Sequence, residues 1–409
     1  MRRTVVMALA LACRAAAPAP APVPSAGLPL VTPESLGLDS TRLDSVVAYL
    51  RTQVDSAFPG AVVAVGRHGR LALLSAVGHY AANDPRPVEP GTIYDLASLT
   101  KVIALTTECV LLVDQGKLDL DAPVQRYVPE FQGPMKDQVT IRHLLTHSAG
   151  LAADLPLWDS TRTRAAALRM VDTSPLLSPP GTQFVYSDLS AILLMQVVER
   201  ITGRPFDQVL AADVFTPLAM TATRFRPPQS CRDRIAPTEV DTFFRHRLLI
   251  GEVHDESAAR LGGVSGNAGL FSNAPDLARF AAWLLDARAG RAAPRLSIGP
   301  EEPRPENPYF RRPHPDSALV RRFTTKQDLP PGSSRALGWD TPSGRSSGGS
   351  TPPADAFGHT GYTGTSIWLY PTQDLFVILL TNRVNPTRTN IKILQVRPRV
   401  ADLVFAAIR

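Results

Sequence analysis

The sequence predicts an α+β fold, in which one antiparallel sheet draws strands from both ends of the chain and helices fill the middle. Two apolar, β-branched runs joined by a turn lie near the N-terminus in "GAVVAVGRHGRLALLSAVG", and a second such pair lies near the C-terminus in "TSIWLYPTQDLFVILLTN". Helical periodicity dominates the residues between them, roughly 111–285. A sheet flanked by helices, with an inserted helical subdomain, accounts for this order.

Composition places the chain among globular proteins and argues against a nucleic-acid partner. Of 409 residues, 44% are hydrophobic and 20% are charged, which is enough apolar material for a core. The net charge of +6 is spread along the chain without a basic helix, so no nucleic acid is expected to bind. Lysine is scarce, with five among 43 basic residues, and each lysine therefore merits individual attention.

The N-terminal segment, residues 1–34, resembles an export signal followed by a tether. "MRRTVVMALALAC" has two arginines, a short apolar run and a small residue before Cys13, which is typical of an export signal with a cysteine that could carry a lipid. The alternative interpretation is a disordered N-terminal tail. The Ala- and Pro-rich stretch that follows suits a flexible spacer. We therefore expect an exported protein, periplasmic or lipid-anchored to a bacterial membrane, whose domain spans 35–409.

The remaining elements follow the chain in order. After the tether, Asp39 or Ser40 caps a helix with one apolar face. In "SNAPDLARFAAWLL", Ser272 or Asn273 caps another helix, and "RTNIKILQVRPRVADLVFAAIR" closes the chain with a third. Residues 291–356 lack apolar periodicity and are rich in Pro, Gly, Ser and Arg, which predicts a long loop with one helix-like segment, "SALVRRFTT".

The stretch "DLASLTKVIALTTECVLLV" contains the first candidate pair, Ser98 and Lys101. On a helix, residues at i and i+3 share a face, so the lysine amine can reach the serine hydroxyl and accept its proton if it is neutral. The helix beyond Lys101 is almost wholly apolar, and burial would favour the neutral amine. A solvated serine and lysine on an ordinary helix is the alternative, and the spacing alone is close to chance.

Two later stretches could complete a site. In "PPGTQFVYSDLSAILLMQVV", Ser187 or Asp188 can cap a helix, which places Tyr186 just outside its N-terminus as a phenol able to shuttle protons. In "FGHTGYTGTSIWLY", His359 and Gly361 precede a strand, and the glycines would let a substrate backbone approach its edge. A packing tyrosine and a simple hairpin turn are the alternatives.

Together these three motifs resemble those of the penicillin-recognising serine hydrolases, a superfamily of serine β-lactamases, D,D-carboxypeptidases and a branch of esterases. "TIRHLLTHSAGL" and "GLFSNAPDLARF" are further matches, the first typical of the class C β-lactamase-like branch. The resemblance covers the chain from about Leu38 onward. It implies an α+β, β-lactamase/transpeptidase-like fold that works without metal or organic cofactor.

The resemblance also implies roles for single residues. Ser98 would be the acylated nucleophile and Lys101 its base, Tyr186 would relay protons, and the backbone N–H groups of Ser98 and Tyr362 would form the oxyanion hole, the latter on the strand after His-Thr-Gly. His359 completes the implied catalytic set, and Gly361 and Asp188 the substrate-binding set.

Two positions depart from the commoner family pattern. Asp188 stands where Asn is usual, so an amide that donates and accepts is replaced by a carboxylate that only accepts. His359 stands where β-lactamases usually have Lys, and an imidazole is largely uncharged at neutral pH. Both changes favour an esterase or a peptidase over an efficient β-lactamase.

Other polar clusters have competing interpretations. His143 and His147, spaced i and i+4, could bind a metal on a helix, but the zinc-protease glutamate is missing between them. "VHDESA", residues 253–258, could also bind metal, although a loop beside the cleft that touches substrate is favoured. "GGVSGNAGLF" is predicted to line the rim of the site.

We therefore expect a serine hydrolase that cleaves an ester or amide in a small molecule or peptide, including cell-wall peptides with D-amino acids. The alternative enzyme is a true β-lactamase. The alternative of another class is a non-catalytic surface protein that binds muropeptides, which the intact Ser98, Lys101 and Tyr186 argue against.

Overall fold

The computed structural model describes residues 27–291, 313–344 and 346–409. Cys13 and the predicted export signal lie outside these residues. At the end of the predicted tether, the backbones of Pro29 and Val31 hydrogen bond to Leu71, so this part of the chain lies against the sheet.

The described strands form one large sheet and two small ones. In chain order they are β1 Gly60–Arg67, β2 Arg70–Ala81, β3 Asp84–Pro87, β4 Tyr94–Asp95, β5 Arg224–Phe225, β6 Val240–Asp241, β7 Arg247–Leu248, β8 Leu270–Ser272, β9 Phe357–Thr360, β10 Ser366–Tyr370 and β11 Leu375–Thr381. The large sheet is antiparallel with the order β3-β2-β1-β11-β10-β9. Its centre pairs β1 with β11, from Ala61 opposite Thr381 to Arg67 opposite Leu375. The predicted sheet from both chain ends is confirmed.

The described α-helices surround this sheet and fill the middle of the chain. They are α1 Ser40–Gln53, α2 Thr107–Asp114, α3 Ile141–Leu145, α4 Leu157–Ser160, α5 Arg164–Thr173, α6 Asp188–Thr202, α7 Phe206–Leu210, α8 Glu256–Arg260, α9 Ala274–Ala289, α10 Ser317–Phe323 and α11 Ile393–Ala406. Asp39 caps α1 and Asn273 caps α9, each through a side chain that accepts a backbone N–H.

The two faces of the sheet are buried against different helices. Along β1, Val63 and Val65 pack with α1 and α11, whereas Val62 and Ala64 belong to the larger core that includes α9. Successive strand residues point to opposite faces, so a run that is apolar at every position is buried on both sides. The predicted helical subdomain, residues 111–285, remains a prediction. Its last helix, α9, packs on the sheet.

The described part of the loop-rich region 291–356 contains the helix predicted from "SALVRRFTT", which is α10. The segment after α10 is irregular but not peripheral, because Leu337 and Trp339 are buried in the larger core. This packing brings Arg335 to the region beside Tyr186.

Candidate active site

Ser98 lies on a strained turn between β4 and the helical segment that leads to α2. The turn is a single 3-10 turn over Ala97–Leu99, followed by a π-helical segment over Lys101–Thr106. Ala97 adopts a positive φ of 47°, a conformation that costs a non-glycine residue of order 1 kcal/mol. Ser98 is the one residue from position 92 to position 112 that is not fully buried. The turn therefore leaves Ser98 partly accessible within an otherwise buried segment.

Lys101 is 3% exposed and has three polar contacts. Its Nζ lies 3.1 Å from Ser98 Oγ, 3.0 Å from the carbonyl oxygen of Asn267 and 2.6 Å from Asp188 Oδ1. The predicted contact between the amine and the serine hydroxyl is present in the structure.

The charge of Lys101 differs from the expectation based on burial alone. Burial lowers the pKa of the Lys101 ammonium, but attraction by Asp188, and next by Tyr186, outweighs it and the pKa lies above its ordinary value. The lysine is desolvated as predicted but charged, because the carboxylate that replaces the usual amide faces it directly.

Tyr186 lies just before α6, as predicted, and Ser187 caps that helix by accepting the N–H of Ser190. The Tyr186 hydroxyl oxygen is buried and has no hydrogen-bond partner among the described residues. Its ring is surrounded by nitrogen-bearing side chains. The ring centroid is 4.9 Å from Lys101 Nζ, 4.6 Å from the ring of His147, 5.9 Å from the ring of His359 and 5.3 Å from Arg335 Cζ.

The strand that His359 and Gly361 were predicted to precede is β10, and the structure adds that His359 itself lies near the end of another strand. It lies in β9, and Gly361 begins the turn that leads to β10. His359 Nδ1 donates to the carbonyl of Thr360 at 2.8 Å, because a carbonyl can only accept. The other ring nitrogen, Nε2, therefore presents a lone pair, and it is buried without a partner among the described residues.

Burial, together with the charges of Arg335 and Lys101, holds the pKa of His359 well below its ordinary value. His147 shows the same direction and the same leading causes: burial, then Arg335 and Lys101, lower its pKa. Both imidazoles are neutral at neutral pH.

The turn after β9 is fastened to the segment that carries Ser98. Thr365 Oγ1 donates to the Leu96 carbonyl at 3.0 Å, and Thr363 Oγ1 donates to that of Asp95 at 2.6 Å. A Cβ on Gly361 would lie 2.1 Å from Thr365 Oγ1 and 2.3 Å from the Leu96 oxygen. The absence of a side chain at Gly361 thus permits contact between protein segments, where the sequence suggested room for a substrate.

Tyr362 lies in this turn and not on the following strand, which corrects its predicted place. Tyr362 is 50% exposed, and the guanidinium of Arg383 lies 4.3 Å from its ring centroid. Among the described residues, the backbone N–H groups of Ser98 and Tyr362 donate to no protein acceptor. Both predicted oxyanion donors are therefore free for a ligand.

A family profile described as Beta-lactamase matches residues 45–398. The chain belongs to the beta-lactamase family. With the relatives described below, this membership identifies it as a serine hydrolase.

Among the relatives of this beta-lactamase family member is a Salmonella agona (strain SL483) protein whose assigned name is D-alanyl-D-alanine carboxypeptidase. It is 28% identical over 403 residues, covering 90% of this chain and 88% of the relative.

Solved structures share the fold. A penicillin-binding protein homologue from Caulobacter crescentus has a TM-score of 0.68 at 21% identity, covering 91% of this chain and 99% of that chain. EstCE1, described as a hydrolase with promiscuous acyltransferase activity, has a TM-score of 0.66 at 23% identity and covers 90% and 99%.

Four site residues were missed or only partly foreseen from the sequence. Asn267 comes from the predicted rim stretch "GGVSGNAGLF" and contacts Lys101. Asp255 belongs to "VHDESA" and accepts from the Asn267 amide at 3.1 Å. His147 lies past the end of α3 with a positive φ of 55°. Arg335 comes from the region predicted as a loop, where nothing in the local pattern distinguishes it from the many other arginines.

The metal alternative has no support in the described residues. His143 Nδ1 accepts the backbone N–H of Thr140 at 3.1 Å, and His147 Nδ1 accepts that of Ser187 at 3.1 Å. No group of three or more His, Cys, Asp or Glu side chains is arranged to hold a metal within residues 27–291, 313–344 and 346–409. Over the same ranges, no helix is both long and apolar enough to cross a lipid bilayer.

Proposed function

We propose that this serine hydrolase forms its acyl-enzyme on Ser98, with Lys101 in contact with the nucleophile, Tyr186 relaying protons, and the N–H groups of Ser98 and Tyr362 binding the oxyanion. The observation that carries the proposal is the contact of Lys101 Nζ with Ser98 Oγ at 3.1 Å, because Ser98 is the one partly accessible residue of an otherwise buried turn. A nucleophile in hydrogen-bond contact with a basic group is the arrangement that serine acyl transfer requires.

The proposed reaction uses only side chains and backbone donors. Ser98 Oγ attacks the carbonyl carbon, the oxyanion receives two N–H groups, and the leaving group departs with a proton. Water then attacks the ester and releases the acid. Tyr186 suits the proton relay because its hydroxyl is buried and its ring lies against Lys101, with 4.9 Å between Lys101 Nζ and the ring centroid.

For the substrate, we propose an ester or an amide of the esterase or D,D-peptidase type. The neutral His359 offers no fixed charge, but Arg335 does. Its side chain is 12% exposed, and its Nη1 is buried without a hydrogen-bond partner among the described residues. Its Asp340 contact is long, at 3.8 Å. An unsatisfied guanidinium donor favours a ligand with a carboxylate, which supports a D-amino-acid peptide with a free C-terminus, including a cell-wall peptide.

We also propose that the protein is exported, with Cys13 as a lipid attachment site, so that it would act on substrates outside the cytoplasm. This proposal depends on the "MRRTVVMALALAC" stretch alone.

The function can be tested by comparing the wild type with Ser98→Ala. Purified protein would be incubated with a fluorophosphonate, p-nitrophenyl acetate and a peptide ending in D-alanyl-D-alanine, and covalent adducts would be read by intact mass. We expect a single adduct on Ser98 in the wild type and none in the variant. Absence of both labelling and turnover in the wild type would show that the catalytic proposal is wrong. Rapid turnover of nitrocefin would favour the β-lactamase alternative.

A further inference from the structure

The carboxylate of Asp188 is placed to take part in the proton transfer itself. Asp188 is the first residue of α6, and its Oδ1 lies 2.6 Å from Lys101 Nζ. This oxygen is buried, and no hydrogen bond from another described group satisfies it. Of the charged side chains in the described residues, Asp188 alone forms an ion pair with Lys101.

The contacts of Lys101 restrict where a proton can go. Lys101 Nζ contacts Ser98 Oγ, the Asn267 carbonyl and Asp188 Oδ1, and Tyr186 lies close enough to raise its pKa as well. While the lysine is charged, it has no lone pair with which to accept the Ser98 proton. It must first give up a proton, and of its partners only the Asp188 carboxylate can hold one.

We propose that the base for Ser98 is the Lys101–Asp188 pair, in which Asp188 takes a proton from Lys101 as Lys101 takes one from Ser98. This inference rests on the proposed function. In the acylation step the Ser98 O–H bond breaks and the Oγ–C bond forms, while the carbonyl π pair moves to the oxyanion. The proton of Ser98 goes to Nζ, and one proton of Nζ goes to Oδ1. On collapse, the proton on Asp188 returns through Lys101 and the leaving group departs protonated.

Asp255 is a positioning residue for this pair. Its Oδ1 accepts the N–H of Ala258 at 2.7 Å and the side-chain amide of Asn267 at 3.1 Å. Since the Asn267 carbonyl accepts from Lys101, Asn267 connects the second carboxylate to the lysine. Burial and, next, the negative charge of Asp188 raise the pKa of Asp255 to about 6. The pair therefore works beside a carboxyl group that changes charge near neutral pH.

Several other charged or titratable groups surround the pair. They are Tyr186 before α6, Asp154 in the loop that precedes α4, Glu256 in α8, and Arg335, His147 and His359 around the Tyr186 ring. Glu256 is itself paired with Arg388 at 2.6 Å. None of these groups replaces Asp188 as the direct partner of Lys101.

The inference predicts a specific pH profile. A carboxylate can accept the transferred proton until acid protonates it, whereas an amine can accept that proton only while the amine is uncharged. The wild type should therefore keep its acylation rate down to mildly acidic pH. Asp188→Asn leaves only the amine as acceptor, so its rate should rise with pH through the neutral and alkaline range. Asp188→Glu keeps a carboxylate and should restore the wild-type profile.

The test is the second-order rate constant for fluorophosphonate labelling of Ser98, measured from about pH 5 to about pH 10. We expect the labelling rate constant of Asp188→Asn to be about 100-fold lower than that of the wild type at neutral pH and to approach the wild-type value in alkali. A 100-fold loss corresponds to an acid limb that lies about two pH units higher. Asp255→Asn should remove an inflection near pH 6 from the wild-type profile. Circular dichroism checks that each variant is folded.

The outcomes are distinguishable. An Asp188→Asn variant with the acid limb of the wild type overturns the inference and leaves the acyl-enzyme proposal intact. If Asp188→Asn does not fold, the Asp188→Glu variant provides the test. This variant retains a carboxylate, so an acid limb that moves into the alkaline range would also overturn the inference. A wild type that is not labelled at all contradicts the proposed function instead.

Discussion

Lys101 and His359 are two basic side chains close to the ring of Tyr186, and they are buried almost equally, at 3% and 4% exposure. Burial lowers the pKa of both. Nevertheless, the pKa of Lys101 lies above its ordinary value and that of His359 well below. Lys101 faces the Asp188 carboxylate at 2.6 Å, whereas His359 faces the cations Arg335 and Lys101.

The difference shows that the partner, and not burial, decides the charge of a buried base. Removing a charge from water costs several kcal/mol, and only an opposite charge in good geometry offsets that cost. One site therefore contains a fixed cation and a neutral acceptor at similar depth. Each of the following substitutions changes one of these charged or titratable groups, and the effect on activity or stability is then measured.

The largest expected effect comes from Lys101→Met, which leaves Asp188 without its cation. Hydrolysis should fall by about 1,000-fold or more, since residues that act as a catalytic unit fail together. The free energy of unfolding should fall by about 3 kcal/mol, because the carboxylate loses its partner. Urea unfolding measures the second effect. The double variant Lys101→Met/Asp188→Asn should regain stability but not activity, and equal stabilities for the single and double variants would contradict the ion pair.

Arg335→Gln removes the cation beside His359. A charge-assisted hydrogen bond is worth about 1.5 to 3 kcal/mol, so KM for a peptide with a free C-terminal carboxylate should rise by about 10- to 100-fold. Hydrolysis of p-nitrophenyl acetate, which has no carboxylate, should change little. Arg335→Lys is the matched control that keeps the charge and loses the planar fork. An equal loss on both substrates would assign Arg335 a structural role.

The neutral state of His359 and His147 predicts a loss of stability in acid. Because their folded pKa values lie below the ordinary 6.5, the stability they contribute is present above that value and is lost as pH falls toward the folded values. Each should cost about 2 kcal/mol between about pH 7 and about pH 5. His359→Asn should reduce the loss by about half, as measured by urea midpoints at the two pH values. An unchanged pH dependence would contradict the direction of the His359 shift.

Glu108 in α2 provides a smaller test, as a buried carboxyl without a partner. Both of its side-chain oxygens lack hydrogen bonds among the described residues. Burial and, next, Asp213 raise its pKa from 4.5 to about 8, so the protonated form stabilises the fold and this contribution is lost as pH rises through 8. Glu108→Gln should stabilise the protein by at least about 1 kcal/mol at alkaline pH and have little effect in acid. Thermal unfolding at about pH 5 and pH 9 measures the difference.

The order of the motifs allowed much of the fold and part of the site to be predicted from sequence. Apolar runs of strand length at both ends predicted one sheet with strands from both ends of the chain, although not that β1 would pair with β11, and the cap before α6 placed Tyr186 correctly outside the helix. The His-Thr-Gly motif does precede a strand, β10, but the preceding strand β9, which contains His359, was not predicted, because a short segment that is buried at most positions shows little alternation. Gly361 was identified from the sequence, but the requirement for glycine there comes from its close approach to the Leu96 carbonyl, in a segment far away in sequence.

The amino-acid sequence by itself determines that Ser98 and Lys101 are three residues apart, a spacing that brings their side chains together wherever the backbone is helical. It also determines the identity of Asp188. Only the tertiary structure decides that Asp188 meets Lys101 and that Arg335 lies over Tyr186. The physical reason is that electrostatic energy depends on distance in space, which packing sets. The charge of Lys101 is thus a property of the folded cleft.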